Sequence, residues 1–317
     1  MKKILMGYNF HREGFSSLED KFELIYPEKQ SFRKEEMIEK IAEANVLIPN
    51  FSFYIDAEIM DSAPNLELIA NFGVGYNNID VEYATSKGIV VANTPESVLE
   101  PTAELCFGLI LATARRIGFY NNQVRQPEGI GWGLYDELGS SVFGKTLGIF
   151  GMGRIGQAVA RRAMASGMKI VYHNRTRLPE DIENKYNAQY VSFEELLALA
   201  DVLSLNAPAT KETFHLIGEN EFKKMKPSAI LINTARGALI DEEALAAALK
   251  NGTIRAAGLD VFEHEPKIHP ELLKLNHNTV LTPHAGTQTW EGRLDMQAEV
   301  SRNILGFYSG GEFARVN

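Results

Sequence analysis

The stretch GIFGMGRIGQAVARRAMASGMKIVYHNRTR, residues 148–177, constrains this chain more than any other. Gly151, Gly153 and Gly156 follow the β-like run TLGIF and lead into the helical pattern RIGQAVARRAMASG. A G-x-G-x-x-G run between a strand and a helix is far more specific than the same letters alone. Gly151 permits a tight turn, Gly153 removes a Cβ so that backbone can approach a pyrophosphate, and Gly156 lets helix and strand pack closely. The N–H groups at the helix start, near Arg154 and Ile155, then face the phosphate charge. The competing reading is a glycine turn with no ligand, and the strand–turn–helix setting weighs against it.

The second strand, MKIVYH, ends at His173. An acid ~20 residues beyond the glycines would accept from a ribose 2′-OH and repel a 2′-phosphate. The chain instead carries Asn174-Arg175-Thr176-Arg177. These side chains can donate to a 2′-phosphate, Arg bidentately. This predicts NADP(H) as the preferred cofactor, with NAD(H) also usable; the other reading is a solvated basic loop. Arg161 and Arg162, on the helix after the glycines, read as a solvent face.

The fingerprint opens a second series of alternating elements, so a full αβ unit precedes it. KKILMG, FELIYP, VLIPN, LELIANF and IVVANTP read as strands, and Arg33–Ala44 and VEYATSKG as helices. A long helix is expected over about Val98–Gln126, then a glycine-rich loop. Later strands are KIVYH, DVLSLNAP, AILINTA, AAGLDVF and NTVLTPH, with SFEELLALA, GENEFKKM and DEEALAAALKNG as helices between them. TWEGRLDMQAEVSRNILGFYSGG closes the sequence as one amphipathic helix. Strands alternating with helices imply parallel sheets covered on both faces, and 317 residues suffice for two such domains.

Composition narrows the function. A net charge of −9 argues against nucleic acid as a partner. With 45% hydrophobic and 23% charged residues the chain has an ordinary globular make-up, and a cytoplasmic location is expected. The N-terminus reads as a first strand rather than a signal peptide, and the apolar run Leu105–Ala114 is too short to span a membrane. The one cysteine, Cys106, excludes an internal disulfide and reads as a buried helical thiol.

Three strand exits carry the chemistry. LINTARG places Arg236 after one strand, AAGLDVFEHEP places Asp260 and Glu265 around the end of another, and LTPHAG places His284 after a third. Ligands of open parallel sheets bind outside the carboxyl ends of the strands. The trio suits hydride transfer to a 2-keto acid. Arg236 binds the carboxylate and polarises the keto oxygen; His284 exchanges a proton with that oxygen; Glu265 fixes the imidazole tautomer and favours its protonated form. A metal site from Glu263, His264, Glu265, His269, His277 and His284 is disfavoured, because no pair has the H-E-x-x-H spacing and Pro266 and Pro270 interrupt the segment.

These residues resemble the D-isomer-specific 2-hydroxyacid dehydrogenases, in their glyoxylate/hydroxypyruvate reductase branch. NFGVGYNNIDVEYATSKGIVVANTP, GKTLGIFGMGRIGQAVA, NAPATKETFHLI, LINTARGALIDEEALAAAL, AGLDVFEHEP and TPHAG carry the likeness over nearly the whole chain. It implies Arg236, Glu265 and His284 as catalytic residues and Val74 and Gly75 of the Asn71–Gly75 loop as substrate-binding N–H donors. Cofactor contacts are implied at Gly151, Met152, Gly153, Arg154, Ile155, Asn174, Arg175, Thr176, Ala207, Pro208, Thr213, Thr234, Ala235, Arg236, Asp260, His284 and Gly286, with Asp260 toward the nicotinamide carboxamide. It further implies a Rossmann NAD(P)-binding domain, residues 99–285, inserted into a flavodoxin-like substrate domain, residues 1–98 and 286–317, with the active site in a cleft that closes on cofactor. A homodimer is implied, with an arm around Trp132 reaching the partner subunit. The regulatory domain of longer phosphoglycerate dehydrogenases is not expected.

The sequence also departs from the family pattern. Asn174 replaces the acid of NAD-specific members, and Asn206 stands where His is common. Phe51-Ser52-Phe53-Tyr54 either shapes a pocket for a bulkier aryl or branched 2-keto acid or packs a core. Formate or phosphite dehydrogenases of the same fold are rivals; formate oxidation needs no alcohol proton removed, so the Glu265–His284 pair argues against it. A non-catalytic dinucleotide sensor is the other rival, separable only by an activity assay.

Overall fold

A computed structural model describes residues 1–49, 54–131 and 133–317. The chain divides into two compact units, residues 1–98 with 287–317, and residues 99–286.

The first unit carries five parallel strands: β1 (Lys2–Met6), β2 (Phe22–Ile25), β3 (Val46–Ile48), β4 (Leu68–Ala70) and β5 (Val90–Ala92). Their order is β2-β1-β3-β4-β5, the flavodoxin-like arrangement. Alternation along each strand sorts side chains to opposite faces. Ile4, Met6, Val46, Ile48, Leu68 and Ala70 share one core layer with Met296, Val300 and Ile304 of the last helix, Trp290–Ser309. Leu5, Leu47, Ile69 and Val91 face the other layer, with Met37, Ile41 and Ile59. The four-residue spacing of Met296, Val300 and Ile304 makes one helical stripe, so the end of the chain returns to the first sheet. That helix stops at Gly310, whose φ of 72° suits glycine.

The second unit carries seven parallel strands: β6 (Thr146–Phe150), β7 (Lys169–His173), β8 (Ala188–Tyr190), β9 (Val202–Leu205), β10 (Ile230–Asn233), β11 (Ala256–Leu259) and β12 (Thr279–Leu281). The order β12-β11-β10-β9-β6-β7-β8 reverses direction between β6 and β9, the doubly wound dinucleotide-binding topology. Helix Leu99–Ala114, with Cys106 buried in it, and helix Arg154–Ala165 cover one face, against Leu147, Ile149, Ile170 and Ile232. Leu196, Phe222, Leu245 and Leu249 cover the other.

Three features differ from the sequence expectation. The helix expected over about Val98–Gln126 is two helices, Leu99–Ala114 and Ile117–Gln123, broken at Arg116. Arg116 adopts a left-handed φ of 56°. Its guanidinium stacks 4.4 Å over Phe119 and pairs with Glu137, 21 residues on, and no helical periodicity encodes the second contact. The helix Glu180–Tyr186 and the edge strand β8 go unread, because AQY is too short to signal a strand. Arg161 and Arg162 are not a free solvent face: both bond the Glu100 carboxylate and tie their helix to helix Leu99–Ala114.

No helix among the described residues is long and apolar enough to cross a membrane.

Candidate active site

All strands of the second unit are parallel, so their carboxyl ends lie along one edge. The fingerprint turn leaves β6 where the strand order reverses. Gly151 has φ 90°, and a Cβ there would stand 2.7 Å from the Ala207 nitrogen at the exit of β9. Glycine therefore allows both the turn and the contact between neighbouring strand exits. Gly156 packs so closely that a Cβ would lie 2.6 Å from the Gly151 carbonyl oxygen. A Cβ on Gly153 would instead point into open space, with nothing within 4 Å. Gly153 precedes the first turn of helix Arg154–Ala165, and no side chain caps it. The turn thus presents uncapped N–H groups beside an opening that suits an anion.

Two further observations fit a dinucleotide. Asn206 Oδ1, after β9, and Thr234 Oγ1, after β10, are buried without a hydrogen-bond partner among the described residues. Unpaired buried polar atoms are costly, and a polar ligand at these exits would satisfy them. Ala207 and Ala235 flank them half-buried, whereas Pro208 is exposed. Thr213 turns its hydroxyl inward to the Pro208 carbonyl (2.9 Å) and receives the Thr210 N–H (2.8 Å), closing its own loop.

The strand end after His173 is divided in its duties. Asn174 Oδ1 accepts the Met152 N–H at 2.6 Å, so its side chain braces the fingerprint turn. Arg177 makes two bonds to Glu183, at 2.8 and 2.7 Å. Arg177 and the Tyr172 hydroxyl hold the Glu183 carboxyl down at about 2; burial and the Glu183 bond push Tyr172 up to about 12. Arg177 is therefore committed to the protein. Arg175 and Thr176 are exposed, and Arg175 makes no ion pair among the described residues.

The three candidate catalytic residues come from β10, β11 and β12. Asn233, the last residue of β10, is fully buried; its Nδ2 donates to the Arg236 carbonyl (2.8 Å) and its Oδ1 accepts the Ala235 N–H (3.0 Å). This shapes the turn that carries Arg236. Next to it, Gly237 leaves no room for a side chain: a Cβ would fall 1.9 Å from the Phe262 carbonyl carbon. The Arg236 turn thereby presses on the loop that holds Glu265. Burial lowers the Arg236 pKa, while the charge of Glu265 opposes it; the guanidinium stays ionised, since its ordinary value is so high.

Glu265 Oε2 lies 2.8 Å from His284 Nδ1, and Glu265 Oε1 accepts the Phe262 N–H at 2.9 Å. Burial pushes the Glu265 carboxyl up, but the His284 bond, the Phe262 N–H and the charges of His284 and Arg236 outweigh it and hold it below its ordinary value. A carboxylate only accepts, so the proton sits on Nδ1 and Nε2 is left for exchange. Asp260 is 1% exposed. Its carboxylate accepts the Thr282 hydroxyl (2.6 Å) and the N–H groups of Ala285 (2.7 Å) and Gly286 (2.9 Å), which fixes the loop bearing His284. Burial raises its pKa against those donors. Sequence reasoning assigned Asp260 a cofactor contact and missed this bracing, as it missed Asn233. Both close a parallel strand with a polar side chain, which is the only signal they offered.

In the first unit, Asn71 donates to the carbonyls of Gly73 (2.9 Å) and Gly75 (2.8 Å), and Asn93 to that of Val74 (2.9 Å). Three successive carbonyls are thus held by the protein, while the N–H groups of Val74 and Gly75 make no hydrogen bond among the described residues. Phe51, Ser52, Phe53 and Trp132 lie outside the described residues; Tyr54 is exposed. Among the described residues no group of His, Cys, Asp and Glu is arranged to hold a metal ion.

Residues 107–286 match the family described as D-isomer specific 2-hydroxyacid dehydrogenase, NAD binding domain. The chain is 46% identical over 313 residues to a glyoxylate reductase of Thermococcus litoralis, covering 97% of this chain and 94% of that one. Among solved structures, a glyoxylate reductase from Paecilomyes thermophila superposes with a TM-score of 0.89 at 37% identity, covering 99% and 98% of the two chains. An NADPH-dependent glyoxylate/hydroxypyruvate reductase from Sinorhizobium meliloti, in complex with NADP and malonate, gives 0.85 at 33% identity, covering 99% and 96%.

Proposed function

The chain belongs to the D-isomer-specific 2-hydroxyacid dehydrogenases, and from that premise we propose that it reduces a small 2-keto acid, glyoxylate or hydroxypyruvate, with NADP(H) preferred and NAD(H) as a second cofactor. The observation that carries this reading is the 2.8 Å bond between His284 Nδ1 and Glu265 Oε2, at the strand exit beside the half-buried Arg236. An acid–base pair of this kind serves a reaction in which an oxygen gains or loses a proton.

The bound nicotinamide supplies or accepts the hydride. Arg236 binds the substrate carboxylate and polarises the keto oxygen as negative charge develops there. His284 gives its Nε2 proton to that oxygen in reduction and takes it back in oxidation. Glu265 holds Nδ1, so the proton is exchanged at Nε2 alone, and its charge stabilises the imidazolium. The N–H groups of Val74 and Gly75, which make no hydrogen bond among the described residues, receive the carboxylate. The helix start at Gly153–Ile155 takes the pyrophosphate, and Arg175 with Thr176 takes the 2′-phosphate, since no acid stands in the 174–177 segment and Arg175 makes no ion pair among the described residues.

A homodimer follows from the same reading. Leu134, Tyr135, Leu138 and Phe143 are 81%, 80%, 54% and 77% exposed. Large apolar side chains so exposed in one segment are the mark of a protein interface.

The test is initial-rate measurement with NADPH and NADH, each crossed with glyoxylate, hydroxypyruvate, pyruvate and phenylpyruvate. Oxidation of NADPH by glyoxylate or hydroxypyruvate is the expected result. Cofactor binding with no turnover on any pair would move the protein to the sensor class. Light scattering of the same sample reads the dimer.

A further inference from the structure

The loop that carries Glu265 is tied at its start by a buried carboxylate from another element. Glu242 opens the helix Glu242–Lys250 and is 5% exposed. Its Oε1 accepts the Glu263 N–H at 2.8 Å. His269, at the far end of the loop, helps to lower the Glu242 pKa. Glu263 and His269 bracket the segment that holds Glu265.

Capping does not explain why this acid is buried. Asp241 already caps the helix, accepting the Ala244 N–H at 3.0 Å. The surroundings instead converge on the loop. The side chain of Glu263 is drawn off to His215 Nε2 at 2.8 Å, so only its backbone N–H faces Glu242. His269 Nδ1 is buried without a partner among the described residues, so the ring offers no rival anchor there. Gly237 packs against the Phe262–Glu263 backbone, and Phe262 in turn donates to Glu265 Oε1. Burial and the charge of Glu263 push the Glu242 carboxyl up, against the Glu263 N–H and His269. A Gln amide oxygen can still accept the Glu263 N–H, whereas Ala or Met offers no acceptor.

We propose that Glu242 is a positioning residue for the acid–base pair: by accepting the Glu263 N–H two residues before Glu265, it sets the approach of Glu265 to His284. It touches neither substrate nor cofactor. The inference rests on the roles given above to Glu265 and His284.

The experiment uses the full chain carrying Glu242→Gln or Glu242→Ala, each alone and with Glu265→Gln. Two quantities are read: the titration midpoint of the His284 ring by NMR, its signals identified by their loss in His284→Gln, and kcat with NADPH and glyoxylate. Glu242→Ala should lower the midpoint and cut kcat about tenfold, as a displaced catalytic group does, with KM for NADPH unchanged, while Glu242→Gln, which keeps an acceptor for the Glu263 N–H, should stay close to the unaltered protein. In the Glu265→Gln background neither substitution should have a further effect. An unchanged midpoint in Glu242→Ala, or an equal loss in both backgrounds, overturns the proposal and leaves Glu242 a fold residue. If no 2-keto acid is turned over, the functional reading fails, but the His284 midpoint still decides the case of Glu242. Glu242→Met keeps the volume of the site without an acceptor, so it serves if the Ala variant does not fold.

Discussion

His284 holds Nδ1 2.8 Å from Glu265 Oε2 while its own backbone sits at a left-handed φ of 54°. A non-glycine residue there carries about 1–3 kcal/mol of strain and persists only where its surroundings over-determine it. Here they do. The His284 N–H donates to the Asp260 carbonyl at 2.7 Å, and the next two N–H groups end on the Asp260 carboxylate. The conformation that aims the ring at Glu265 is therefore imposed from β11, next to the strand that delivers it.

Replacing His284 by Gln should lower turnover in both directions by roughly 10²–10⁴-fold, the usual worth of a general acid–base group. Affinity for NADPH, read by fluorescence titration, should stay close to that of the unaltered enzyme. Near-normal turnover would remove His284 from the proton path.

Glu265→Gln should change the pH profile more than it changes binding. The Glu265 carboxyl lies below its ordinary value, so it is ionised throughout the neutral range and stabilises the protonated imidazole. Reduction needs that proton. Without the negative charge the imidazolium is lost sooner as pH rises, so the alkaline limb of kcat for reduction moves to lower pH. For oxidation, which needs the neutral ring, the acid limb moves the same way. Profiles of both directions check the sign, and a limb that stays in place contradicts the pairing.

Arg175→Ala should discriminate between cofactors. A charge-assisted bond to a phosphate contributes enough that NADPH binding should weaken roughly tenfold to a hundredfold, with NADH little affected. Equal loss for both would mean that Arg175 does not meet the 2′-phosphate. Arg177→Ala is a poor probe of this point, because that guanidinium is held by Glu183.

Glu183→Gln should destabilise the second unit in a pH-dependent way. The folded carboxyl is held at about 2 against an ordinary 4.5, first by Arg177 and then by Tyr172. A depressed folded pKa contributes stability that is fully present above the ordinary value and is lost as pH falls through the folded one. The gap in melting temperature between the unaltered protein and Glu183→Gln should be constant near neutrality and shrink between pH 4.5 and pH 2. A gap that does not narrow would show that Glu183 acts through packing alone.

Much of the architecture was legible because its signals are local. The alternation of strand and helix runs predicts two parallel sheets, and both are present. Asp241 before EEALAAALK and Gly252 after it mark a helix that runs Glu242–Lys250. Reading failed where the deciding contact was distant. The break at Arg116 depends on Glu137, and β8 exists because β7 offers an edge for three residues to pair with.

What the sequence by itself determined is the class of fold, the place of the dinucleotide turn and the residue types available at each strand exit. These follow from spacings of a few residues, where side-chain periodicity and glycine geometry act. Only the tertiary structure decided how those residues divide their work. Asn174 turns back 22 positions to Met152, Arg177 is taken by Glu183, and Asp260 reaches 25 and 26 positions on to Ala285 and Gly286. Glu242 reaches 21 positions on to hold the Glu265 loop. A hydrogen bond requires its atoms within about 3 Å, and for groups so far apart in the chain only the packed sheet brings them that close.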